Sequence, residues 1–108
     1  MAYDPQLADL MREALKRRKG ISEKKMFGGF CWMLNGNMLC GVEVGRFMFR
    51  VGKDLEAEAL TRRGAELVDL NGRRMGGVVW VEDESCRGTG LEGWIAFAGQ
   101  FAGRLPPK

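Results

Sequence analysis

Cys31, Cys40 and Cys86 are the most reactive side chains in a sequence of 108 residues that contains no histidine. Without an imidazole, Ser-His and Cys-His nucleophilic mechanisms are excluded, and the commonest protein ligand for zinc and iron is missing. The cysteines are odd in number and lack C-x-x-C spacing, which fits neither a secreted disulfide framework nor a structural zinc site. The run Glu82-Asp83-Glu84 reads as a solvated loop rather than a hard-metal site. No G-x-G-x-x-G or Walker A pattern is present, and the pairs Gly28-Gly29 and Gly76-Gly77 read as bulges or close backbone approaches in a sheet. An enzyme would have to work with cysteine, Tyr3, lysine and carboxylates alone. The expectation is therefore a non-enzymatic protein with no catalytic residue, no metal and no cofactor.

Composition agrees with an ordinary globule: 45% hydrophobic, 29% charged, and no apolar run near the roughly 20 residues of a membrane helix. A chain of this length is expected to form one domain over residues 1–108, burying roughly 60% of its unfolded surface. Met1-Ala2-Tyr3-Asp4-Pro5 leads into an amphipathic pattern rather than an apolar signal core. Together with the cysteine usage, this predicts a cytoplasmic protein.

The elements that position these residues are punctuated by caps and turns. Asp4 is expected to cap a helix with Pro5 in its first turn, and Leu7, Leu10, Met11, Ala14 and Leu15 recur at helical spacing before Gly20. Asn35-Gly36, between two apolar runs, is the strongest hairpin signal in the chain, because both residues tolerate the positive φ angles of a type I′ turn. Strands are predicted over about 30–34 and 37–44, with a third over 46–51 in which Arg46 and Arg50 alternate with Phe47, Phe49 and Val51. A second helix is expected with Asp54 as N-cap, Arg62 and Arg63 in its last turn and Gly64 beyond. Leu67, Val68 and Leu70, then Val78 to Val81, predict a second hairpin through Asn71-Gly72 with a loose turn over Arg73-Arg74. Thr89-Gly90-Leu91-Glu92 reads as a capping box for a last helix that ends at Pro106-Pro107. The fold class is α+β, a two-layer arrangement of antiparallel sheet and helices in the order α-β-β-β-α-β-β-α.

Lys24-Lys25-Met26-Phe27-Gly28-Gly29, Gly36-Asn37-Met38, Cys40-Gly41-Val42, Arg50-Val51-Gly52 and Leu105-Pro106-Pro107-Lys108 together resemble the N-terminal-domain family of TfoX/Sxy proteins, across nearly the whole chain. The resemblance implies a fold like that of secretion chaperones. It also implies a link to regulation of bacterial competence genes, with family members acting as coactivators beside another transcription factor. Full-length regulators of this family carry a second, C-terminal domain, so the chain is read as a stand-alone N-terminal-type domain. The family offers no catalytic residue set to carry over.

Register adds an expectation that the resemblance does not. A two-residue turn at Asn35-Gly36 places Leu34 opposite Asn37, Met33 opposite Met38, Trp32 opposite Leu39 and Cys31 opposite Cys40. The two thiols would then face each other, within reach of a disulfide but read as buried free thiols. One sheet face would carry Cys31, Met33, Met38, Cys40 and Val42, and the other Phe30, Trp32, Leu34 and Leu39. Two apolar faces need two covers. Phe30, Trp32, Leu34 and Leu39 are the expected partner interface, the partner being a second copy of the chain or the transcription machinery.

The alternative function is weak, sequence-indifferent nucleic-acid binding. Net charge is +3 and the pI about 9.0, with Lys16, Arg17, Arg18 and Lys19 close in sequence to Lys24 and Lys25. Glu13 and Glu23 flank this cluster, no DNA-reading motif accompanies it, and no aromatic residues interleave its charges. No membrane partner is expected.

Overall fold

The computed structural model describes residues 4–26, 29–70, 72–86 and 90–107. Helix α1 spans Pro5–Leu15, and the Asp4 carboxylate accepts a hydrogen bond of 3.0 Å from the Gln6 amide, satisfying a donor the helix cannot pair itself. It buries Leu7, Ala8, Met11 and Leu15 and stops there, short of Gly20, with Leu10 left 56% exposed. Four strands follow: β1 (Ile21–Met26), β2 (Gly29–Leu34), β3 (Asn37–Glu43) and β4 (Arg46–Arg50). A 3-10 turn over Lys53–Leu55 leads into the short helix α2 (Glu56–Leu60). Strands β5 (Ala65–Leu70) and β6 (Arg73–Glu82) form the second hairpin, and after a second 3-10 turn (Asp83–Cys86) helix α3 runs over Gly90–Ala102.

The strands make one antiparallel sheet in the order β1-β2-β3-β4-β6-β5. The α+β class and the element order follow the sequence reading, with β1 as an additional strand. Its sequence, ISEKKM, has no apolar alternation, and its side chains from Ser22 to Lys25 are exposed. Pairing with β2 from Ile21↔Leu34 to Met26↔Gly29 makes it a strand, and its lysines suit the edge position it occupies. Asp54 lies inside the 3-10 turn rather than at an N-cap, and α2 starts without a side-chain cap. The second hairpin turn is tight, since Leu70 pairs directly with Arg73. Asn71, Thr89 and Gly28, which carried other expectations, lie outside the described residues.

The first hairpin has the predicted turn, with Asn35 at φ 53° and Gly36 at φ 84°. Its register differs two residues further on. Leu34↔Asn37 and Met33↔Met38 pair as expected, but a bulge then leaves Leu39 as an extra residue, so Trp32 pairs with Cys40 and Cys31 with Gly41. The bulge turns Leu39 and Cys40 toward the same side. Cys40 packs in the main core, where its Sγ donates to Met11 Sδ at 3.6 Å, while Cys31 is buried on the opposite face. The expected Cys31–Cys40 pairing is thereby corrected: the sheet separates them, and all three thiols are free.

Both faces are covered. Under α1 and α3 lies the main core, including Trp32, Leu39, Val42, Phe47, Phe49, Val51, Val79 and Val81, with Phe49 and Trp94 stacked at 5.4 Å. On the other face Cys31, Met33, Met48, Val68, Val78 and Trp80 form a second cluster, each below 9% exposure. Arg46 covers part of it, its guanidinium 3.3 Å from the centre of the Trp80 ring and 2.9 Å from a Glu43 oxygen.

Candidate functional site

The four residues expected to meet a partner belong to the main core. Trp32 is 1% and Leu39 0% exposed, and half-buried Phe30 and Leu34 pack against the same cluster. Helices of the same chain pack over Trp32 and Leu39, and Phe30 and Leu34 remain half-buried beside them. Alternation marks this face as apolar but does not say which elements fold onto it.

The six cationic candidates are all exposed, and the fold brings only some of them together. Lys16 caps the C-terminus of α1 and is ion-paired with Glu13 one turn earlier. Arg17, Arg18 and Lys19 continue past the helix end, where positive charge complements its dipole, and the Arg18 guanidinium lies beside Gly99 of α3. Lys24 pairs with Cys31 and Lys25 with Phe30, so the pleat directs these adjacent lysines to opposite faces of the sheet. Lys25 lies 5.8 Å from the Phe30 ring centre. Next to the α1 end, Arg12 binds Glu23 through Nε at 2.6 Å and also bonds Asp9 at 3.1 Å. The Arg12 hydrogen bond holds the Glu23 carboxyl below its ordinary range. The candidate cations therefore form only a short run at the end of α1, in which Lys16 is paired with Glu13 and which the Arg12 ion pairs to Glu23 and Asp9 flank.

The thiols are poorly disposed to react. Burial pushes Cys31 up to about 11 and Cys86 up to about 12, with Glu43 and Asp83 respectively adding to the effect. Burial carries Cys40 further still above the ordinary thiol range. A thiol nucleophile needs the opposite shift.

Sequence reasoning missed a different place. Where β4 leaves the sheet, a cavity of about 350 Å³ is lined by Arg50, Lys53 and Arg104, with Asp54, Val51 and Phe101. Arg50 and Lys53 share one short segment, but Arg104 lies far along the chain, and no local pattern joins it to them.

This arrangement, one antiparallel sheet with α1 and α3 on one face and a small second core on the other, defines an α+β domain. Residues 13–81 match the family model of the TfoX N-terminal domain, more than half of the chain, and the chain belongs to that family, which is linked to competence regulation. The match stops before α3, so it covers less of the chain than the motifs had suggested. No curated protein and no solved structure matches the chain. Among the described residues, no helix is long and apolar enough to cross a membrane.

Proposed function

We propose that this domain is a non-catalytic regulator of transcription that works by contacting another protein. Its membership of the TfoX N-terminal domain family carries the reading. Buried thiols with raised pKa values, and the pairing of Arg12 and Lys16 to carboxylates, support it, because none of these groups is set up for nucleophilic or acid–base chemistry. Exposed Leu10, beside Lys16, Arg17 and Leu91 between α1 and α3, supports a contact surface on the helical side away from the sheet.

The test uses the labelled domain titrated in parallel with purified RNA polymerase, with a competence-type transcription activator, and with duplex DNA alone. Saturable binding to one of the proteins is expected, weakened by Leu10→Glu. DNA alone should bind weakly, without sequence preference, and lose affinity steeply with added salt, as a few contacts from Lys16, Arg17, Arg18 and Lys19 would. Sequence-discriminating DNA binding at physiological salt, with no protein binding, would replace this reading by the nucleic-acid one.

A further inference from the structure

We propose that the cavity at the exit of β4 binds a small organic phosphomonoester. Three segments converge there. The Val51 and Gly52 amides both donate to the Gly77 carbonyl, at 2.8 and 3.0 Å, tying the β4 exit to β6. Gly52 (φ 85°) and Gly77 (φ 79°) allow this approach: a Cβ on Gly77 would lie 2.9 Å from the Gly52 carbonyl carbon, and one on Gly52 would lie 2.5 Å from the Phe101 ring. The end of α3 is thus fixed against the β4 exit, and the walls of the cavity are set by backbone packing.

Charge at this site is unbalanced. Arg50, Lys53 and Arg104 line the cavity against a single carboxylate, Asp54. Among the described residues, ion pairs engage Arg12, Lys16 and Arg46, and none of the three cavity cations. Arg50 is held with its guanidinium 5.1 Å from the Phe101 ring centre, and the Lys53 stem passes over Gly76. Two guanidinium forks and an ammonium suit the several acceptor oxygens of a dianionic phosphate better than a single carboxylate. The volume of about 350 Å³ falls within the range of small-molecule sites and exceeds what a bare phosphate fills. Leu55 and Phe101, both half-buried, supply apolar wall for the remainder of the ligand.

The site is independent of the proposed protein contact, and its test does not involve a partner. Adenosine monophosphate and inorganic phosphate are titrated into the full chain by calorimetry, with amide shifts locating the site. Expected are saturable binding at the Arg50–Asp54 and Gly76–Gly77 amides, tighter for the nucleotide than for phosphate, and a loss of about tenfold for Lys53→Gln and for Arg104→Gln. Both residues are exposed, so folding of the variants is confirmed by unchanged thermal melts. Arg17→Gln, which does not line the cavity, should leave the affinity unchanged. Absence of saturable binding, equal affinity for nucleotide and phosphate, or equal loss in Arg17→Gln would overturn the proposal. So would tighter binding of a single-stranded oligonucleotide through the same cations, which would make the cavity a backbone contact for nucleic acid.

Discussion

Cys40 shows how one residue's surroundings decide its chemistry. Its sulfur sits against Met11 beneath α1 with no solvent exposure, and ionising it there would strand a charge in an apolar core. Cys31 and Cys86 are pushed in the same direction by burial. At pH 8 all three are therefore protonated in the folded protein, and a disulfide reagent should react far more slowly with native than with denatured chain. After denaturation in the absence of oxidant, three free thiols should be counted. Rapid labelling of one thiol under native conditions would show that its cover opens easily, and a count of one would revive the Cys31–Cys40 bond. Histidine's absence and the lack of ligand spacing were legible in the sequence; the separation of the two cysteines was not, because one inserted residue at Leu39 changes which face Cys40 occupies.

At the level of elements, the join between α1 and β1 rests on Arg12 and Glu23. The two side chains are each 39% exposed, so water screens the pair and its coupling in a double-mutant cycle should not exceed about 1 kcal/mol. The sign of its pH dependence follows from the lowered Glu23 carboxyl. Stability from this group is present above the ordinary value of 4.5 and is lost as pH falls through the lower folded value. Coupling between Arg12→Ala and Glu23→Ala should accordingly be constant from pH 8 to 6 and decline in acid. Coupling that grows on acidification would contradict this assignment. The strand that Glu23 belongs to was invisible in the sequence, since an edge strand can be charged throughout and still be held by the backbone ladder of its neighbour.

For the molecule as a whole, the double-sided sheet decides whether folding needs company. Trp32 and Leu39 are closed in by α1 and α3, while Met48, Val68 and Trp80 are buried on the other side within the same chain. Trp32→Ala should therefore cost about 3–5 kcal/mol in chemical denaturation, the usual result of truncating a core aromatic. Particle mass by light scattering should stay as in the wild type at concentrations where both are folded. A stability change below about 1 kcal/mol with a lower particle mass would return Trp32 to the role of an interface anchor.

Local rules were sufficient wherever the determining contacts lie within a few residues. Asp4 before Pro5, Asn35-Gly36 and the apolar spacing of Trp94, Ile95 and Ala98 specified a capped helix, a type I′ hairpin and a buried helix face without help from the rest of the chain. The family was legible for the same reason, being carried by short motifs around these turns. Which sheet face receives the helices is a long-range matter: alternation marks Phe30, Trp32 and Leu34 as apolar, but only the return of α1 and α3 over them makes that face the main core. The cavity of Arg50, Lys53 and Arg104 is the extreme case, because the end of α3, packed on Gly52 through Phe101, brings Arg104 to the Arg50–Lys53 segment, and no periodicity or spacing in a linear chain records such a meeting.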